Sequence, residues 1–175
     1  MKYIATIIIL IFFSINVSAQ APAPKAEDVN SMDNIMAALY DVISGPKGEK
    51  RDWDRMRSLF HENAKLMPTG KNQQGEVQMR YWSIEDYISQ AGAGLERDGF
   101  FEVETHRVVE DYGTITHVFS TYDSRRNLND EKPFARGINS IQLLKDDRRW
   151  YIMNVLWMGE TKEFPLPEKY LSKKQ

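Results

Sequence analysis

Phe100–Asp111 (FFEVETHRVVED), Thr114–Arg125 (TITHVFSTYDSR), Pro133–Lys145 (PFARGINSIQLLK) and Trp150–Gly159 (WYIMNVLWMG) are four consecutive extended runs, and their reading decides the fold. Valine, isoleucine, threonine and aromatic residues dominate them, the side chains that fit a pleated, half-buried surface. Tyr112-Gly113 and Asp146-Asp147 mark two tight turns, and the stretch from Arg125 to Phe134 makes a looser middle connection. Long antiparallel strands preceded by helical segments predict an α+β fold, a curved sheet with helices packed on one face.

Upstream, Val29, Met32, Ile35, Met36, Leu39, Val42 and Ile43 recur at helical spacing from Glu27, and Gly45-Pro46 stops the run. Asp52 is placed to cap a second helix whose inner face carries Trp53, Met56, Leu59 and Phe60. Lys65-Leu66-Met67 reads as a short strand closed by Pro68, and a brief strand is expected around Gln78–Trp82. Ser83 followed by Asp86 has capping-box spacing and opens a third helix, with Tyr87, Ile88, Ala91 and Leu95 inside.

The first nineteen residues set an expectation about compartment. Lys2, the apolar run Ile4–Phe13 and the small-residue site Val17-Ser18-Ala19 have the layout of a secretory signal peptide, with cleavage between Ala19 and Gln20. The run is too short for the roughly 20 residues of a spanning helix. Removing it leaves 156 of the 175 residues, enough for one domain with a core, and a balance of 22 Lys and Arg against 25 Asp and Glu, or −3. That field favours neither nucleic acid nor an anionic membrane. The chain has no cysteine, hence no disulfide, thiolate nucleophile or lipid-anchored cysteine. The expected location is periplasmic or secreted in a bacterium, without a membrane attachment after cleavage. Residues 20–26, rich in Ala and Pro, read as a solvated tether, 27–164 as one domain, and 165–175 as a peripheral tail.

The order of elements, with "ENAKLMP" (62–68) closing the first strand and "RRWYIMNVLW" (148–157) forming the last, resembles the nuclear transport factor 2-like superfamily. That group includes the SnoaL-like polyketide cyclases, ketosteroid isomerases and scytalone dehydratases. "GFFEVETHRVV" (99–109), "HVFSTYDSRR" (117–126) and "PFARGINSIQLL" (133–144) are also similar to an uncharacterised exported bacterial branch. The resemblance covers about residues 30–160. It implies a cone-shaped antiparallel sheet around a pocket, three helices on the concave side, and homodimers through the outer sheet face. Met153, Val155 and Trp157 are similar in placement to pocket-lining residues of the isomerases, and Tyr40 to their oxyanion-binding tyrosine. The isomerase base has no counterpart, because Met67 precedes Pro68, and the second acid falls near Ser140. Without those carboxylates the isomerase mechanism is not carried over.

Strand parity offers a pocket face. An even-length turn at Asp146-Asp147 puts Arg136, Ile138, Ser140, Gln142 and Leu144 on one face with Tyr151, Met153, Val155 and Trp157. Apolar walls with a few polar groups suit a ligand pocket, so this face is taken as the interior. Tyr40, His117, Arg136, Ser140, Gln142 and Trp157 are then the candidate ligand-binding residues. His117 is the best catalytic candidate because imidazole titrates near neutrality, although a structural histidine is the more ordinary reading. Arg136 suits an anion, or equally an ion pair with Asp123 or Glu160. His106 and His117 with Glu104 or Asp123 make a weak metal set, and Glu102 and Glu104 read as a solvated strand face. Gly92 and Gly94 are too isolated for a phosphate loop, and no cofactor or metal is expected.

Three functional classes follow. The first is a protein that holds a small apolar or amphipathic molecule in the cone without catalysis. The second is a SnoaL-like isomerase, hydro-lyase or hydrolase using His117, Arg136 and Tyr40. The third is a dimeric interaction module whose pocket is filled by its own side chains.

Overall fold

The computed structural model describes residues 22–172; the signal-peptide reading and its Ala19/Gln20 site lie outside them. The first helical run is two helices, α1 (Ala26–Val29) and α2 (Met32–Ile43). Ser31 divides them: its backbone is extended and its side chain accepts a hydrogen bond from Asn34 N–H at 3.1 Å. That N-cap satisfies a donor of the first turn of α2. α2 buries Ile35, Met36, Leu39, Tyr40, Val42 and Ile43 on its sheet-facing side. α3 (Trp53–Leu59) starts at Asp52, whose carboxylate accepts from Arg55 N–H at 2.9 Å. Just before it, buried Arg51 donates to the carbonyls of Ile43 and Gly45 (3.1 and 2.6 Å), which fixes the end of α2.

β1 (Phe60–Lys71) follows α3 directly and is far longer than its three-residue sequence signal. It hydrogen-bonds in parallel to the last strand, a non-local pairing to which local periodicity is blind. β2 (Val77–Met79) makes a short edge hairpin with it. α4 (Ile84–Tyr87) opens with the reciprocal Ser83–Asp86 capping box and runs through a π turn (Ile88–Gly92) into α5 (Ala93–Asp98). Gly92 is needed where this segment crosses α3, because a Cβ there would lie 3.0 Å from the Trp53 ring.

The four long runs are β3 (Phe101–Tyr112), β4 (Ile115–Arg125), β5 (Ala135–Lys145) and β6 (Trp150–Gly159). Sheet order is β2-β1-β6-β5-β4-β3, antiparallel except at β1–β6. The first tight turn is displaced by one residue: Tyr112 pairs with Ile115, and Gly113 turns the chain with φ +61. Three register shifts interrupt the ladders, one between Phe60 and Lys65 of β1 and two in the antiparallel part of the sheet. Of the latter two, one leaves Thr105 of β3 unpaired, and the other leaves Met153 of β6 unpaired. The bulge at Met153 puts Ile152 and Val155 on the same face although they differ in parity.

α2 packs across β3 and β6, α3 against β1 and β6, and α4 against β1. Ile35, Met36, Met56, Leu59, Val118, Ile141, Leu143 and Ile152 form the fully enclosed centre of this core. On the opposite sheet face the end of the chain folds back. The Tyr170 ring lies 4.9 Å from Phe119, its carbonyl accepts from Thr121 Oγ at 2.7 Å, and Ser172 donates to the Thr105 carbonyl.

Candidate functional site

The concave face of β5 is the set Asn139, Ile141 and Leu143, all buried beneath the helices. This reverses the face chosen from parity. The turn at Asp146-Asp147 does pair odd with even residues next to it, as in Leu144 with Tyr151. Beyond the Met153 bulge the relation changes, and Asn139 pairs with Trp157. One extra residue flips every side chain that follows it. Val155 and Trp157 therefore do face the interior, whereas Tyr151 and Met153 do not share the face of Asn139.

Tyr40 and Trp157 line one cavity of ≈120 Å³, with Leu39 and Ile43 from α2, Met56 from α3, Leu66 from β1 and Tyr87 from α4. Phe100, Glu102 of β3, Asn139 of β5 and Val155 of β6 complete it. Trp82, Tyr87 and Trp157 form an aromatic cluster at one side, with ring centroids 6.3–6.4 Å apart.

Among the described residues Glu102 is the one acidic or basic side chain lining this cavity. Its Oε1 accepts from Asn139 Nδ2 at 3.2 Å and its Oε2 from Ser124 Oγ at 3.1 Å. Among the described residues no arginine or lysine pairs with it. Burial pushes its carboxyl up to about 7, and the bonds from Asn139 and Ser124 only partly oppose that. The residue keeps some accessible surface because it lines the cavity. Desolvation disfavours the charged form when no cation compensates.

A second chain of hydrogen bonds stands beside it. Ser120 donates its single proton to Glu104, so the Tyr40–Ser120 bond of 2.6 Å must be donated by the tyrosine. The Tyr40 oxygen in turn accepts from Asn139 Nδ2 at 3.1 Å. Burial raises the Tyr40 hydroxyl above the usual phenol range, which keeps it a donor. Glu104 is anchored by Arg107, which also reaches Asp33 at 2.8 Å. Tyr40 is thus occupied within the wall. Tyr87, raised in the same direction by burial, has no side-chain hydrogen-bond partner among the described residues, and no fully buried polar atom is left unpaired. Its hydroxyl therefore retains accessible surface, and the residue lines the cavity.

The other four candidates lie on the convex face. His117 Nε2 is 2.9 Å from Ser140 Oγ, and its Nδ1 is 3.9 Å from the exposed Glu110 carboxylate. Gln142 is exposed and sits opposite His117 in the ladder. Arg136 makes a two-pronged pair with Glu160 at 2.9 and 3.0 Å. The expected convergence of His117, Arg136, Ser140 and Gln142 with Tyr40 on one cavity is therefore corrected: the sheet separates them. His106 pairs with Thr121 and His117 with Glu110, four residues apart in register, so they do not share a metal-binding geometry. Glu102 and Glu104, read as solvated, turn inward instead. The available signal was the small polar set Ser120, Ser124 and Asn139 on the neighbouring strands, which provides donors for inward acids.

This arrangement of helices on a six-stranded curved sheet recurs in solved structures. A Nostoc punctiforme protein of unknown function with a cystatin-like fold superposes with TM-score 0.56 and 13% identity, over 75% of this chain and 90% of that one. A nuclear transport factor 2-like protein of unknown function from Silicibacter pomeroyi gives TM-score 0.52 and 13% identity over 75% and 94%. The chain has a nuclear transport factor 2-like fold. LinA shares it with TM-score 0.55 and 9% identity, over 83% of this chain and 93% of LinA. No protein-family model and no curated protein matches the sequence. At such identities a shared nuclear transport factor 2-like fold carries no activity with it.

Proposed function

We propose that this chain is an exported small-molecule-binding protein whose ligand occupies the interior cavity, walled by Leu39, Ile43, Val155 and Trp157 and read by Glu102 and Tyr87. The observation that carries this reading is the Glu102 carboxyl, buried among apolar walls without a cation. A fully packed domain has no use for such a group, whereas a binding site does. A cavity of about 150 Å³ holds benzene, so ≈120 Å³ suits a compact molecule of similar size. Trp157 and Val155 line this space rather than fill it, which counts against the interaction-module reading. Export rests on the residue 1–19 pattern. Pairing through the outer sheet face rests on exposed Val108, Ile115 and Leu156.

Proton-transfer catalysis is the second reading, favoured by the position of Glu102 and by its carboxyl sitting near 7, where an acid–base group works best. An isomerase or hydro-lyase would use this carboxyl, with the Tyr87 hydroxyl as donor. His117 and Arg136 have no part in it, since both lie across the sheet.

Native mass spectrometry of protein purified from its own source tests the proposal. A small adduct should accompany the wild type and be absent from Val155→Trp, which fills the cavity. An adduct retained equally by both variants would place the ligand elsewhere.

A further inference from the structure

The cavity is electrically unbalanced. Among the described residues it buries one carboxylate, from Glu102, against Leu39, Ile43, Val155 and a set of aromatic rings, and is lined by no arginine or lysine. The groups facing Glu102 from other elements are Tyr40 on α2, Tyr87 on α4, Tyr122 and Ser124 on β4 and Asn139 on β5, all uncharged. On its own strand, Glu104 is held by Arg107, and Arg107 is shared with Asp33. Arg126, near the chain at Gly99, donates to that carbonyl and stacks on Phe134 at 4.2 Å. Among the described residues the Glu102 side chain therefore has hydrogen bonds but no counter-charge.

A carboxylate taken out of water without a compensating cation is costly, and the missing partner is worth most where the dielectric is low. Aromatic rings attract a cation through their negative faces, and do so best when water is excluded. Tyr40, Tyr87, Phe100 and Trp157 all line the same cavity as the carboxylate. A cavity lined by aromatic residues with a single negative charge at its wall matches one class of molecule better than any neutral apolar one. We infer that the cavity takes a small organic cation, an ammonium of about choline size, with Glu102 as its counter-charge and the Tyr87, Phe100 and Trp157 rings as its walls.

This inference rests on the cavity being the ligand site and adds the charge of the ligand. A bound cation holds Glu102 ionised, so binding competes with its proton. With the carboxyl at about 7 in the empty protein, cation affinity should fall about tenfold from pH 8 to pH 6, following the ionised fraction. A neutral ligand should not show that fall.

The test is isothermal titration of the purified protein with two probes: choline, and its uncharged isostere bearing a tert-butyl group in place of the trimethylammonium. Choline should bind at least about tenfold tighter at pH 8. Glu102→Gln should abolish that preference. The wild-type pH comparison reads the same interaction without any substitution. If the alcohol binds as tightly as choline, or the preference survives in Glu102→Gln, the cation inference fails while the cavity remains the ligand site. If neither probe binds and no adduct is seen by native mass spectrometry, the inference falls together with the cavity reading.

Discussion

Glu102→Gln should change how stability depends on pH, and the sign follows from the direction of its shift. The carboxyl moves from an ordinary value of 4.5 up to about 7 in the folded protein. Between those values the folded state holds more protons than the unfolded one, so stability falls as pH rises through this window. A shift of this size corresponds to about 3 kcal/mol when complete, most of it between pH 5 and pH 8. The lowered carboxyls, including Asp28, Glu85, Asp146 and Glu160, act oppositely, and their contribution is gained at more acid pH. The window above pH 5 is therefore dominated by Glu102. Glutamine keeps the shape and accepts from Asn139 but cannot ionise. Urea unfolding followed by tryptophan fluorescence, on both proteins from pH 5 to pH 8, measures the gap. The variant should gain on the wild type by about 2–3 kcal/mol over that range. Parallel curves would show that Glu102 is not buried without a counter-charge.

Three further outcomes follow from particular contacts. Tyr40→Phe removes the donor to Ser120 and the acceptor of Asn139, and should cost about 1–3 kcal/mol in chemical denaturation. Gly137→Ala places a Cβ against the Met158 carbonyl and the Tyr122 phenol, and should destabilise by about 1–3 kcal/mol, read as a lower melting temperature. Arg136→Ala and His117→Ala act on the convex face only. Each should leave cavity occupancy by native mass spectrometry unchanged and cost at most about 1 kcal/mol of stability.

The parts of this fold that read well from sequence are those governed by local rules. Alternation places β3 to β6 within one or two residues of their ends, and the Asp52 and Ser83 caps start α3 and α4 at the expected positions. What the local pattern does not contain is pairing between distant segments. β1 extends far beyond Leu66 because β6 supplies its ladder, nearly ninety residues later in the chain. The site suffered most from the bulges at Thr105 and Met153, since face assignment propagates along a strand and one unpaired residue reverses it. Trp157 was placed inward correctly only because the Met153 bulge offset the wrong choice of face on β5. Glu102 was missed because a glutamate on an alternating strand is normally solvated. Only the tertiary meeting of Ser124, Asn139 and Tyr87 makes it an interior group.

The decisive question is which side of the sheet the ligand occupies. A crystal structure of protein purified from its own source without denaturation tests this most directly. We predict density for a compact molecule between Glu102, Tyr87 and Trp157, with the Arg136–Glu160 pair intact on the far face. Density seated on His117 and Arg136, with the interior cavity closed by collapse of Tyr87 and Trp157, would contradict it.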